Sequence, residues 1–466
     1  MPEFDNMNRI QRTVDFCDMT DYQTTGDHPV SQLANSPEDQ CTLIIGGGAG
    51  GLELAIKLGR HYRGFNHKVI LVDQNRTHIW KPLLHEVAAG AMDPDIDGVD
   101  YLSLGNKNGF VFHLGTMVGL DRDRCVVQLA PLLDNEGQTV LTQRELHYTR
   151  LVFALGSVTN DFGTEGAREH CIFLDSPQSA QRFHTRLLNE FLKLQADDTK
   201  HTLEIAIVGA GATGVELAAE LYKTTELLKS YGYNHLSKNR LKVRLVEAGP
   251  RLLPALPERI ASATKRELEK LGVEILLNTA VSKVEADGLH TREGEFISSK
   301  MSVWAAGIKA PDFLHEIGGL ATNRINQIKV DRKLVSTVDS AIFALGDCAH
   351  CEMPDGSKVP PRAQSAHQMA SHVLKNIKLM DAYKPLQDYQ YVDYGSLVSL
   401  STYSTVGSLM GNLTKGSMFI EGRLARMVYI SLYRMHQFVI YGRLKTLLFM
   451  LVNRINRRLR PTLKLH

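Results

Sequence analysis

The chain has 466 residues, 43% of them hydrophobic and 22% charged, with a formal net charge of +2 at neutral pH. That length and balance describe about three domains with ordinary globular cores, and near-neutrality gives nucleic-acid binding no global electrostatic support. Six cysteines in so long a chain make no disulfide framework, so the expected environment is reducing and cytosolic.

Residues 1–40 are polar, without an apolar run of signal-peptide length, and read as a disordered or loosely docked extension. Residues 41–60 then read as strand, glycine turn and helix, with TLIIGGGAGGLELA at 42–55. A diphosphate is held well by backbone N–H groups at a helix N-terminus, where the dipole favours negative charge and a side chain would obstruct. Gly46 would make the tight turn, Gly48 would admit the diphosphate against bare backbone, and Gly51 would let helix and strand pack closely. The next strand, KVILVD, ends in Asp73, about 20 residues past the last glycine, where a carboxylate meets a ribose.

HIWKPLLHEVAAG follows at 78–90. Lys81 before Pro82 either sets a cation and a rigid turn beside a bound ring system or is a surface lysine ahead of a helix start. His85 and Glu86 do not open a metalloprotease HExxH motif, because the second histidine is replaced by Ala89. His78 and His85 both read as structural. Between 111 and 155, short β-rich runs alternate with turns and end in a buried strand closed by Gly156.

A second glycine unit, IAIVGAGATGVELAAEL, occupies 205–221, with Gly209, Gly211 and Gly214 in the three roles. The strand LKVRLVE after it ends in Glu247; the spacing is long, which a longer helix or an insertion around 231–238 absorbs. An acidic strand end repels a ribose phosphate and favours NADH over NADPH. SVWAAG, closed by Gly307, parallels the run closed by Gly156. The expectation is therefore one Rossmann-like α/β domain inserted into another, the chain leaving near Gly156 and returning near Gly307.

FALGDCA at 343–349 puts Asp347 at a strand end, where it either accepts a polyol hydroxyl or caps a helix. Cys348 and Cys351 form a single CxxC, too little for a metal assignment. After a turn-rich connector at 352–361, the helix from Arg362 carries Gln364 and Gln368 on one face. Two converging amides would hold a carbonyl-bearing substrate; the bland alternative is a solvated face.

Toward the C-terminus Leu447, Leu448, Leu451 and Ile455 recur at helical spacing. Arg423, Arg426, Arg434, Arg443, Lys445, Arg454, Arg457, Arg458 and Arg460 crowd the same region. Lys445 and Arg454 bracket too short a run to cross a bilayer, which needs about 20 apolar residues. The segment is expected to lie on the membrane, with arginines drawn to anionic lipid at roughly 1 kcal/mol each and Phe449 and Met450 dipping into the acyl boundary. A homodimer interface is the competing reading.

Taken together, GGGAGG, KPLLHEVAAG, GAGATGVELAAEL, WAAGIKAP, GDCA and above all AQSAHQ at 363–368 make the chain resemble the type II NADH:quinone oxidoreductases, the single-subunit alternative NADH dehydrogenases of respiratory membranes. The resemblance spans 41–459. It implies two Rossmann-like domains, the NADH domain (161–306) inserted in the FAD domain (41–160 and 307–385), and a C-terminal region of membrane-surface amphipathic helices (386–466). It implies that FAD is held non-covalently by the first loop, Asp73, Lys81, Gly156, Gly307, Asp347 and Ala363, and that NADH binds the second loop and Glu247. Gln364 and Gln368 would hold the quinone ring, and Glu216 would lie where nicotinamide and flavin meet. The implied activity passes a hydride from NADH to FAD and two electrons to a membrane quinone, without proton pumping, on the cytoplasmic face of the bacterial inner membrane. No metal and no nucleic-acid partner are expected. A sulfide:quinone or dithiol oxidoreductase on the same fold is an alternative needing cysteines at the flavin, and a non-catalytic flavin/NADH sensor is a second.

Overall fold

The computed structural model describes residues 40–196, 201–233, 240–400, 404–411, 414–421, 436–459 and 463. The expected loose extension lies outside these residues except for Gln40, as do Arg423, Arg426, Arg434 and Arg460.

Ten parallel strands carry the fold: β1 (Cys41–Ile45), β2 (Lys68–Asp73), β3 (Val111–Leu114), β4 (Arg150–Phe153), β5 (Cys171–Phe173), β6 (Leu203–Val208), β7 (Leu241–Val246), β8 (Glu274–Leu276), β9 (Met301–Trp304) and β10 (Ile342–Ala344). They make two five-stranded sheets, ordered β10-β4-β1-β2-β3 and β5-β9-β6-β7-β8. Every pairing in both is parallel. Strands covered on both faces need near-continuous apolar runs, and β1 is buried at every position, as are the last four residues of β6. β5 to β9 interrupt the first sheet, whose last strand β10 pairs with β4. The insertion expected from the two matching strand-to-glycine runs is thus present in the topology. Val158 and Thr159 on the way out pair antiparallel with Lys309 and Ile308 on the way back.

In each sheet a helix leaves the strand that carries the glycine loop. Helix α1 (Ala49–His61) leaves β1, and α2 (Leu84–Ala88) lies in the KPLLHE stretch. Helix α3 (Pro177–Ala196) enters the second unit, and α4 (Ala212–Leu228) leaves β6. The 17 residues of α4, continued by a 3-10 turn at Lys229–Tyr231, account for much of the long spacing to Glu247. Helix α5 (Glu258–Leu271) covers the second sheet, and α6 (Ala363–Asp381) packs on α1. The β-rich stretch at 111–155 includes a three-stranded antiparallel sheet, and residues 281–298 form its counterpart in the inserted unit.

The C-terminal region departs from the sequence reading, which gave all of 386–466 to the membrane. Strands β11 (Gly395–Leu400), β12 (Ser404–Gly411) and β13 (Thr414–Glu421) form an antiparallel sheet. Val398 and Leu400 alternate inward, fully buried in the core of the inserted unit. Among the described residues, α7 (Arg443–Leu459) fits the amphipathic reading. Its Leu447, Leu448, Leu451 and Ile455 are 55%, 61%, 60% and 49% exposed.

Candidate active site

The two glycine loops share one geometry. Gly46 and Gly209 begin them at φ of +104° and +102°, left-handed values open to glycine. A Cβ on Gly46 would stand 2.5 Å from the Ala154 carbonyl oxygen just after β4, and one on Gly209 would stand 2.6 Å from Ala306 just after β9. A Cβ on Gly51 would meet the Gly46 oxygen at 1.9 Å, and one on Gly214 the Gly209 oxygen at 2.1 Å. At the middle glycines the surroundings are open instead. A Cβ on Gly48 would have only the Ala154 oxygen at 3.9 Å, and one on Gly211 nothing within 4 Å. Each loop therefore keeps bare backbone facing free space at a helix N-terminus, the cradle a diphosphate takes.

The acidic strand ends serve the loops in the same way. The N–H of Gly47 donates to Asp73 Oδ2 at 2.7 Å, while Oδ1 accepts from the Asn75 backbone. The N–H of Ala210 donates to Glu247 Oε2 at 2.8 Å, while Oε1 accepts from Gly249. One side of each carboxylate thus fixes its loop. Burial pushes the Asp73 carboxyl upward against the hydrogen bonds from Asn75 and Gly47.

Residues from both halves gather where the sheets meet. Lys81 Nζ donates to the Ser157 carbonyl, and Ser157 Oγ donates to Asp347 Oδ2 at 2.7 Å. Gly156 and Gly307 flank this junction in left-handed conformations, at φ of +68° and +65°. Ala363 opens α6, a helix that packs on the turn holding Asp347. Asp347 sits in a 3-10 turn rather than at a helix N-cap. Glu216, on α4, is buried; its Oε2 stands 3.5 Å from His85 Nδ1 and its Oε1 accepts from the Ser399 N–H at 3.0 Å. Glu216 is therefore a three-way junction of α2, α4 and β11. His85 carried no signal of this in the sequence beyond lying in a histidine-glutamate pair.

Gln364 and Gln368 face one segment of backbone. Gln364 Nε2 donates to Asp393 Oδ1 and to the Gly395 carbonyl, and its Oε1 accepts from Tyr394 N–H. Gln368 Nε2 donates to the Val392 carbonyl at 2.8 Å and Oε1 accepts from Val392 N–H at 3.1 Å. Both amides converge, as their spacing implies, on 392–395, the chain leading into β11.

Two clusters escaped the sequence reading. Gly47 carbonyl accepts from Tyr101 Oη at 2.8 Å and from His78 Nδ1 at 2.9 Å. His78 Nε2 lies 2.9 Å from His436 Nε2, and Trp80 lies against the His436 ring with centroids 4.2 Å apart. In the other cluster Glu53, fully buried on α1, meets Lys57 Nζ, His367 Nδ1 and Ser371 Oγ. The Glu53–Lys57 spacing of four was a readable signal; the reach to α6 was not.

Cys348 and Cys351 do not form a dithiol. Cys348 Sγ faces the carbonyls of Phe153 and Leu345, and Cys351 Sγ faces that of Asp331. Burial pushes their thiols up to about 12 and about 11. Among the described residues no group of three or more histidine, cysteine or acidic side chains is placed to hold a metal.

Two Rossmann-like units with matching phosphate cradles, one set inside the other, define a two-dinucleotide oxidoreductase, and the comparisons agree. Residues 41–370 match the family model of the pyridine nucleotide-disulphide oxidoreductases. The type II NADH:quinone oxidoreductase of Haemophilus influenzae is 45% identical over 440 residues, 91% of this chain and 99% of that one. The enzyme of the same description from Staphylococcus aureus is 28% identical, across 80% of this chain and 90% of its own. In structure, NDH2 from Plasmodium falciparum in complex with NADH superposes with a TM-score of 0.76 at 18% identity, covering 92% of this chain and 100% of that one. The sulfide:quinone oxidoreductase of Aquifex aeolicus shares the fold at a TM-score of 0.65 and 18% identity, covering 91% of this chain and 96% of that one. The chain belongs to the type II NADH:quinone oxidoreductases.

Proposed function

We propose that this chain oxidises NADH and delivers two electrons to a membrane quinone through non-covalently bound FAD. The observation that carries the reading is a pair of matching cradles set in different surroundings. The first abuts β4 and lies beside Ser157 and Asp347, residues from distant parts of one domain, which suits a resident cofactor. The second, on the inserted unit, is fixed by Glu247 on the Ala210 N–H and by the Leu253 N–H on the Ala210 carbonyl, both within that unit, and suits a visitor. FAD, when bound, supplies a ring that accepts a hydride and gives up electrons in pairs.

The protein's own residues bind and aim. Loop N–H groups at α1 hold the FAD diphosphate, with Asp73 and Asp347 placed for its ribose and polyol hydroxyls and Lys81 clasping Ser157, which bonds Asp347. Loop N–H groups at α4 hold NADH, and the Glu247 carboxylate disfavours a ribose phosphate. Glu216 lies buried between the halves, its carboxylate fixed by Ser399 and beside His85, in position to orient the nicotinamide. Gln364 and Gln368 fix the floor on which the quinone rests. Cys348 and Cys351, buried with raised thiols, leave a dithiol chemistry without a thiolate nucleophile.

Membrane docking at the cytoplasmic face of the bacterial inner membrane fits the exposed apolar residues of α7, its cations and the supply of quinone from lipid. Among the described residues no helix is long and apolar enough to cross a membrane. The test is spectroscopic. Purified protein should show a flavin spectrum that NADH bleaches and a short-chain quinone restores, with quinone-stimulated turnover. NADH binding without quinone-dependent turnover would leave only the sensor reading.

A further inference from the structure

Reducing a quinone to a quinol takes two electrons and two protons. NADH supplies a hydride, which amounts to two electrons and one proton; the other proton comes from water. A group is needed that reaches solvent on one side and the quinone helix on the other.

His367 meets that need. It lies on α6 between the two glutamines, three residues after Gln364 and one before Gln368. Its Nδ1 is 2.5 Å from Glu53 Oε2, a carboxylate wholly buried beneath it, while the histidine side chain is 40% exposed. Among the described residues Nε2 has no hydrogen-bond partner, so the ring presents one nitrogen outward with the other anchored. A carboxylate on Nδ1–H fixes the tautomer and stabilises the imidazolium. Glu53 is itself held by Lys57 Nζ at 2.5 Å and by Ser371 Oγ at 3.4 Å, which keeps its charge compensated away from water. The charged and titratable groups facing His367 are Glu53 with Lys57 from α1 and His436 from the C-terminal segment. Lys57, 28% exposed, opens the cluster toward solvent.

We infer that the Glu53–His367 pair delivers the solvent proton to the reduced quinone. The Nε2–H bond of the imidazolium breaks as the quinone O–H bond forms. The imidazole then takes a proton from water, and Glu53 stabilises the cation without accepting that proton. The electrons come from NADH, and the sum is NADH, quinone and one proton giving NAD⁺ and quinol. This rests on the quinone-reducing function above. A purely mechanical role, Glu53 clamping α1 to α6, is the alternative.

Ferricyanide separates the two, because it takes electrons without protons. The full-length protein and its His367→Gln and Glu53→Gln variants are assayed with NADH and either ferricyanide or a short-chain quinone. The quinone-to-ferricyanide rate ratio should fall in His367→Gln, on the order of 100-fold as for loss of a general acid. It should fall less in Glu53→Gln. Wild-type quinone turnover should decline toward alkaline pH, that decline should vanish in His367→Gln, and added imidazole should restore turnover to His367→Gly. An unchanged ratio with an unchanged pH profile, or equal losses with both acceptors, would overturn the proton role. A wild-type protein that reduces ferricyanide but no quinone would instead overturn the function on which it rests.

Discussion

His78 Nε2 and His436 Nε2 lie 2.9 Å apart, both rings buried, so that one nitrogen must carry a hydrogen and the other must not. His78 Nδ1 donates to the Gly47 carbonyl, which leaves its Nε2 bare to accept from His436. The C-terminal segment is thereby seated on the first dinucleotide loop by two neutral histidines. Burial holds His78 at about 4 and His436 at about 2, both below the ordinary 6.5.

A pH dependence follows. Groups whose proton affinity is depressed in the seated state stabilise it fully above pH 6.5 and progressively less as pH falls toward 4. The loss is on the order of 1.4 kcal/mol per pH unit for each histidine. Hydrogen exchange across 436–441, corrected for intrinsic rates, should lose protection between pH 7.5 and 5, and the change should shrink in His436→Leu, where only His78 remains to titrate. Equal protection at both pH values in the wild type would refute it.

The loop glycines divide into two kinds. Gly51→Ala, with its Cβ driven to 1.9 Å from the Gly46 oxygen, should yield protein without bound flavin. Gly214→Ala should keep flavin and raise the KM for NADH, since its clash lies in the second loop. Gly211→Ala meets no protein atom, so its melting temperature should hold while NADH affinity drops about tenfold, or about 1.4 kcal/mol. Flavin content, melting curves and NADH titration decide each case.

Replacing Gln364 and Gln368 together by alanine removes the bonds that pin 392–395, each worth about 0.5–1.5 kcal/mol. NADH should still bleach the flavin, while quinone turnover falls and the segment loses exchange protection. Quinone turnover at the wild-type rate would place the quinone elsewhere.

Deleting 443–466, or introducing Leu447→Glu with Leu451→Glu, should release the protein from anionic vesicles in a sedimentation assay. If binding persists and the mass in solution halves instead, α7 covers a second copy of the chain rather than lipid.

Much of this fold was legible because phosphate binding writes itself locally. Gly46 and Gly209, Gly51 and Gly214, Asp73 and Glu247 sit at spacings set by one turn and one helix, and the paired runs ending at Gly156 and Gly307 marked the insertion. What stayed hidden was long-range. Nothing near Glu53 announces His367, 314 residues on, nor does His78 announce His436, 358 residues on. The C-terminal sheet was missed because its basic surroundings and the apolar stripe of α7 outweighed the short alternation at Val398 and Leu400.

The Ser399 N–H bond to Glu216 has a mechanical meaning. Two crossing strands alone would let the inserted unit rotate about them like a door on a paired hinge. Val398 and Leu400 sunk in its core, Ser399 on Glu216, and the Leu463 N–H bonded to Tyr231 Oη at 3.1 Å add fixed points off that axis. The inserted unit is thus tied to the C-terminal strands and to Leu463 as well as to its two crossing strands, so these contacts would have to break before it could turn about that axis.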